Sequence, residues 1–401
     1  PPPPPPPPLF FFMLMTAYEM LRSLVGSEMC IRDRLMGKNF RVGIVGATVT
    51  QGGSGWGANA HIPALKALPN FELKAVCTSR EETAKLSAKE FGSELAFWDI
   101  NQMVSHPEID LIAVVVRVPW HKELVNASIE AGKAVCCEWP LGANLAEAME
   151  MAYKAKANNG KTLVGLQAQS DPAIMSARDL VNNDEIGEIV SVILKVIVDA
   201  IPERGDGRIW QGIRSNGANP MTIPGGHAID ALCFILGEFS QISARVTTRI
   251  DMWKHAVTGE DFPVDAPDTV TASGLLKNGA EVGYQVASVP YNASGTCLEI
   301  YGRKGTIVLR SNSFNIGPSQ VYLAKGNKKM EEVTPASEYI LIPNEMAAGP
   351  GINVGQAYAR FASAGEPGYT DTPDFDHAVV RHKLIEAMER SHNEGKVIHL
   401  D

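Results

Sequence analysis

The chain has 401 residues, 45% hydrophobic and 20% charged, a globular composition with length for about two domains of roughly 150 residues each. Its formal net charge of -9 (36 Lys+Arg against 45 Asp+Glu) argues against a nucleic-acid or anionic-membrane partner, both of which call for a basic face, and leaves a small-molecule ligand as the expected one. The six cysteines (Cys30, Cys77, Cys136, Cys137, Cys233 and Cys297) form no CxxC pair and no metal-ligand spacing, which predicts buried free thiols, a reducing cytoplasmic setting and no metal centre.

The N-terminal Pro1–Pro8 and the apolar run Leu9–Met15 lack the basic n-region and the small-residue cleavage site of a secretory signal. The run is also shorter than the about 20 residues of a membrane-spanning helix. The stretch MLRSLVGSEMCIRDR (20–34) resembles translated sequencing-adapter sequence, so residues 1–35 are expected to be non-native, with the natural start near Met36.

From Asn39 onward strand and helix signals alternate. FRVGIVGA is a β-branched, glycine-terminated strand, Ala60–Leu68 a helix, LKAVCT a second strand, and EETAKLSAKEFG an amphipathic helix stopped by Gly92. IDLIAVVVRV is a continuous apolar run, as expected of a strand buried on both faces. A helix (His121–Ala131), a strand (Ala134–Glu138), a helix (Leu145–Asn158) and the strand TLVGLQ follow, and this alternation predicts a parallel, doubly wound sheet. After Ile189 the runs lengthen (IVSVILKVIV, ISARVTTRI, DTVTASGLLKNGAEVGYQVASV, CLEIYGRKGTIVLR, QVYLAKG) with turns at Lys277-Asn278-Gly279 and Arg303-Lys304-Gly305, which predicts hairpins in an antiparallel sheet. A last helix, Asp376–His392, is expected to pack back on the body. The fold class is therefore α/β: a Rossmann domain over 36–170, then an α+β domain over 171–401 with a mainly antiparallel open sheet that shapes the substrate pocket and carries oligomerisation.

Gly43 and Gly46 close the first strand, and a glycine-rich loop with Gly52, Gly53, Gly55, Trp56 and Gly57 leads into the helix. Glycine is required where backbone approaches a pyrophosphate, and the helix N-terminus adds its amides. An NAD site carries an acid at the end of the second strand, on the adenosine ribose. Here that end reads Cys77-Thr78-Ser79-Arg80; two hydroxyls and a guanidinium suit a 2′-phosphate, so NADP is expected in preference to NAD.

The pieces VGIVGA, AHIPAL, VVRVPWHKELVNASIEAGKAVCCEWPLG, GGHAIDALCFILGE and LEIYGRKGTIVL resemble the glucose-fructose oxidoreductase and inositol dehydrogenase (Gfo/Idh/MocA) family over about residues 39–400. The resemblance implies a glutamate beside the nicotinamide from an E-K-P tripeptide, whose lysine works on the substrate hydroxyl with the aspartate and histidine of a D-x-x-x-H motif. The tripeptide here is Glu138-Trp139-Pro140, and Ile223 stands four before His227, so of the proton-transfer set only the histidine matches. Gly55-Trp56, His61, Pro63, Glu138-Trp139, Leu166-Gln167 and Gly226–Asp230 are similar to the subgroup containing the fungal galactose-pathway repressor, a noncatalytic relative that keeps dinucleotide binding.

Hydride transfer needs the nicotinamide held against a carbinol and a base for its proton. His227 is the expected base, with Asp230 three residues on to orient it. Arg117, Pro119, Trp120 and His121, at the carboxyl end of a central strand, are expected beside the cofactor with Glu138, Trp139, Pro140 and Gln167. Trp139, Gln169, Trp210 and Arg214 are expected to face the substrate, Trp139 by stacking. Three functions fit: an NAD(P)-dependent oxidoreductase of a sugar, polyol or related compound; a noncatalytic regulator that senses a dinucleotide; and a dinucleotide-dependent lyase or glycosidase.

Overall fold

The computed structural model describes residues 39–49, 55–343, 346, 349–364 and 372–400. The expected non-native segment and the loop glycines Gly52 and Gly53 lie outside the described residues.

Six strands build the first sheet: β1 (Phe40–Val45), β2 (Phe71–Cys77), β3 (Leu95–Phe97), β4 (Leu111–Val114), β5 (Ala134–Glu138) and β6 (Thr162–Gly165). Their order is β3-β2-β1-β4-β5-β6 and every pairing is parallel, the doubly wound arrangement predicted from the alternating pattern. Because helices cover both faces, the central strands are apolar throughout; all four residues of β4 are fully buried. The order reverses between β1 and β4, which opens a crevice at their carboxyl ends. The apolar run through Arg117 leaves the sheet after Val114, and the helix expected at Ala60 begins earlier, with a wide turn over Gly57–His61 running into Ile62–Ala67.

The remaining strands are β7 (Ile189–Asp199), β8 (Glu203–Arg204), β9 (Phe239–Thr247), β10 (Met252–His255), β11 (Asp261–Pro263), β12 (Thr269–Leu276), β13 (Glu281–Val289), β14 (Gly295–Gly302), β15 (Gly305–Ser311), β16 (Gln320–Lys325), β17 (Glu331–Val333) and β18 (Ile398–His399). Nine of them form a sheet of order β17-β16-β15-β14-β7-β13-β12-β9-β18, and β8, β10 and β11 form a small side sheet. The large sheet is antiparallel except for the β7–β13 pair. Its strands alternate burial, with Val192, Leu194, Val196, Val282, Tyr284, Val286, Leu298 and Ile300 turned inward. Helices Pro172–Asn182, Pro224–Leu236 and Phe375–Glu394 cover that inner face.

One continuous core joins Val114, Cys137 and Val164 of the first sheet to Leu194, Val286 and Ile300 of the second. The final helix packs on Leu145–Ala157 and on β9, so it fastens the two sheets together. A helix absent from the sequence reading, Ile352–Ala362, buries Tyr358 and Phe361 against Phe40 and Phe71 on the other face of the first sheet. Among the described residues no helix is long and apolar enough to cross a membrane.

Candidate cofactor and substrate site

A cavity of about 890 Å³ opens at the carboxyl ends of β1, β2, β4 and β5 and extends toward the start of helix Pro224–Leu236. It brings together twelve of the residues singled out in the sequence: Gly46, Trp56, Thr78, Ser79, Arg80, Arg117, Trp120, His121, Glu138, Trp139, Trp210 and His227.

The backbone at its floor requires glycine. Gly46 has φ +100°, and a Cβ there would stand 2.1 Å from the carbonyl oxygen of Val115. Behind the lining, Gly57 packs on Ala47, where a Cβ would come within 3.0 Å of the Cα. This bare, concave backbone beside a helix start fits a pyrophosphate. At the end of β2, Thr78 Oγ1 bonds Thr83 Oγ1 at 2.6 Å and the Arg80 carbonyl at 3.0 Å, while Arg80 itself is exposed. The sequence reading missed Trp98, Asp99 and Asn101, which line the same end from the segment after β3. Asp99 caps helix Ile100–Val104 by accepting from the Asn101 amide at 2.9 Å. A strand of only three residues hid this segment, but an acid-capped helix start after an apolar triplet is its signal.

His121 is sealed in by three carbonyls, those of Pro140 (3.0 Å), Leu141 (3.3 Å) and Val116 (3.1 Å). Burial holds its pKa below the ordinary value. It thus clamps the β4 loop to the β5 loop beneath the cavity. Arg117 reaches across to the Asp206 carbonyl (2.7 Å) and lies over the Trp210 ring, tying the first sheet's crevice to the segment after β8.

Glu138, at the end of β5, accepts from or shares a proton with His61 Nε2 at 3.0 Å; His61 Nδ1 meets the Tyr358 hydroxyl at 2.8 Å. His61 and Tyr358 are each 1% exposed, so Glu138 is fixed by a buried chain that runs back to the unpredicted helix. Trp139 is also buried. Its indole N–H donates to the Thr222 carbonyl at 2.7 Å, its ring lies 4.7 Å from that of His382, and Gly226 is bare where it passes.

His227 lines the cavity, and neither ring nitrogen has a hydrogen-bond partner among the described residues; Nδ1 is fully enclosed. Burial pushes its pKa down to about 4, against the pull of Glu138 and Asp230. The ring is therefore a neutral imidazole at pH 7.

Asp230 does not orient it. The carboxylate, 0% exposed, is turned onto His377 Nε2 (2.7 Å), Arg381 Nε (3.1 Å) and Gln169 Nε2 (2.9 Å). Burial raises its pKa, but His377, Arg381 and Gln169 together hold it below the ordinary carboxylate value. This is a buried ion network between helix Pro224–Leu236 and the final helix, and Gln169 belongs to it instead of facing a substrate. Arg214 likewise stands off the cavity, paired with Glu389 at 2.9 Å. Gly43, Gly55, Gly57, Pro119, Pro140 and Gln167 also lie outside the lining; Gln167 donates to the Asn315 carbonyl at 3.0 Å, and so supports a loop that does line it.

Residues 40–166 match the oxidoreductase family with an NAD-binding Rossmann fold, and residues 172–311 match the C-terminal domain of Gal80p. The Rossmann part thus matches the Gfo/Idh/MocA oxidoreductase family, and the second part matches the Gal80-like C-terminal domain. Among similar proteins, a dehydrogenase named aclE from Aspergillus oryzae is 29% identical over 378 residues, spanning 90% of this chain and 98% of its own. Levoglucosan dehydrogenase from Pseudarthrobacter phenanthrenivorans is 27% identical over 296 residues, 68% of this chain and 73% of its own. The crystal structure of a super-repressor mutant of Gal80p from Saccharomyces cerevisiae shares the fold, with a TM-score of 0.79 at 23% identity over 90% of this chain and 97% of that one.

Proposed function

We propose that the protein is an NAD(P)-dependent oxidoreductase of a sugar, polyol or related hydroxylated compound, with His227 as the acid/base group. The observation that carries this reading is the partnerless imidazole of His227 in the same cavity as Glu138 and Gly46. Gly46, Gly57 and the segment Thr78–Arg80 would hold the dinucleotide, with Glu138 and Arg117 toward its nicotinamide end. Bound there, the nicotinamide supplies the two-electron acceptor for a carbinol carbon. The chain's own part is to accept the hydroxyl proton at His227, to keep Glu138 fixed through His61, and to exclude water with Trp139 and Ile223. Ser79 and Arg80 favour NADP by offering a hydroxyl and a guanidinium where NAD enzymes place an acid, with Thr78 bonded to the Arg80 carbonyl beside them. Residues 36–170 act as the dinucleotide domain and 171–401 as the substrate domain, in a cytoplasmic homo-oligomer assembled through the open face of the large sheet, where Ile193 is 46% exposed. Light scattering of the eluted protein tests that assembly.

The deciding experiment is a cofactor-reduction screen of the purified protein with NAD and NADP against sugars and polyols. Tight dinucleotide binding with no reduction by any compound would refute catalysis. One observation favours a second reading, a noncatalytic dinucleotide sensor: Trp139, at the position the family resemblance gives to a lysine, is built into the fold by Thr222, Gly226 and His382.

A further inference from the structure

The connection between β15 and β16 leaves the large sheet, and its residues Asn315 and Ile316 line the cavity. It is tethered along its length. Phe314 is 1% exposed in the core, and its carbonyl accepts from Asn353 Nδ2 at 3.2 Å. The Asn315 carbonyl accepts from Gln167 at 3.0 Å, and Asp171 accepts from the Ser319 amide at 3.0 Å and from Asn353 at 3.3 Å. At Gly317, with φ +62°, the Asn353 amide occupies the space a Cβ would need. Strand connections are ordinarily short, mobile and solvated. One held by three separate elements of the protein fixes its tip in place, as a binding site requires.

The tip is chemically oriented as well. The Ser313 hydroxyl donates to Asn315 Oδ1, so the carbonyl end of the carboxamide faces Ser313. Asn315 Nδ2, with its two donors, has no protein partner among the described residues. Ile316 beside it is 42% exposed, an apolar side chain at the cavity's edge. His227 offers an acceptor to a hydroxyl, and Asn315 offers a donor. Two such groups of opposite sense fit the adjacent oxygens of a polyhydroxylated ring, while Ile316 suits its C–H face.

We propose that Asn315 is a specificity-determining residue, donating from Nδ2 to the oxygen next to the hydroxyl that faces His227 on a cyclic polyol or sugar. The inference rests on the oxidoreductase reading only in taking the ligand to be hydroxylated. Asn315→Asp keeps the size of the side chain and the acceptor for Ser313 but removes the donor. Binding of a panel of sugars and polyols to the cofactor-loaded protein, measured by calorimetry, tests it. Asn315→Asp is expected to weaken the best-bound compound by about 10- to 100-fold, with dinucleotide affinity within about twofold of wild type. A deoxy analogue lacking the adjacent hydroxyl should bind wild type and variant alike. Unchanged binding of the best compound, equal weakening of the deoxy analogue, or no binding of any panel member to wild type would each overturn the proposal. If binding follows expectation and neither cofactor is reduced, Asn315 keeps its role and only the oxidoreductase reading fails.

Discussion

Replacing His227 by Gln separates the chemistry of the site from its stability, because the two depend on pH in different windows. In the folded protein burial lowers the imidazole pKa from 6.5 to about 4. The unfolded chain therefore takes up a proton near pH 6.5 that the folded chain refuses until about pH 4, so this group's stabilising share is complete above pH 6.5 and is lost as pH falls toward 4. The loss is about 1 kcal/mol at pH 5.5 and about 2 to 3 kcal/mol at pH 4.5, at roughly 1.4 kcal/mol per pH unit. His227→Gln has no such proton, so urea unfolding should show the variant gaining on wild type by these amounts between pH 7 and 4.5. Turnover at pH 7 should fall by about 10² to 10⁴, the usual size of a general acid/base contribution, with dinucleotide affinity nearly intact. The wild-type acid limb of kcat/KM assigned to this group should lie near pH 4, well below the ordinary histidine range. Stability curves that stay parallel for wild type and variant across this range would refute a buried neutral imidazole. Turnover unchanged in the variant would refute its role as base.

Arg80→Ala should weaken NADP by about tenfold or more and leave NAD within about twofold, since a charge-assisted bond to phosphate contributes about 1.5 to 3 kcal/mol; equal losses by calorimetry would remove the NADP assignment. Asp230→Ala should destabilise the fold by about 3 to 5 kcal/mol, because it strands Arg381, which is 0% exposed, without its carboxylate. A loss below about 1 kcal/mol in urea unfolding would show that Glu238 alone satisfies Arg381.

The parallel sheet was legible because its strands are buried on both faces and punctuated by glycine, so composition alone marks Val42–Val45 and Leu111–Val114. The hairpins of the large sheet were legible from their turns, Lys277-Asn278-Gly279 and Arg303-Lys304-Gly305. Helix Ile352–Ala362 was not, because its polar residues Asn353, Gln356 and Arg360 are buried along with the apolar ones and so mark no solvent face. In the site, residues that follow a strand end directly, such as Thr78, Arg117 and Glu138, could be placed from topology alone. Asn315 could not, since it comes from a connection in the far sheet and reaches the cavity only through tertiary tethers from Gln167, Asp171 and Asn353. Asp230 misled for the opposite reason. Three residues after His227 it shares a helical face in sequence, but Arg381 and His377, about 150 positions away, claim its carboxylate first.

Trp139 decides how far the site has moved from proton-transfer chemistry, and its surroundings allow the argument to be made in energies. An indole held by the Thr222 carbonyl at 2.7 Å, faced by His382 at 4.7 Å and fitted against bare Gly226 is packed as core; its relative exposure is 4%. Trp139→Phe removes only the hydrogen bond and part of the ring, and should cost about 1 to 3 kcal/mol, of which the unpaired Thr222 carbonyl is the larger share. Trp139→Lys removes the ring and buries an ammonium beside a histidine that burial already holds neutral, with pKa down to about 4. Loss of aromatic packing alone costs about 3 to 5 kcal/mol, and the adjacent carboxylate in the chain, Glu138, is already engaged by His61. The lysine variant should therefore unfold at markedly lower urea than the phenylalanine variant and show no gain in cofactor reduction with any sugar or polyol that wild type accepts. A folded Trp139→Lys protein that turns over faster than wild type would overturn this, and would mean that the cavity still presents a substrate hydroxyl to a side chain at position 139.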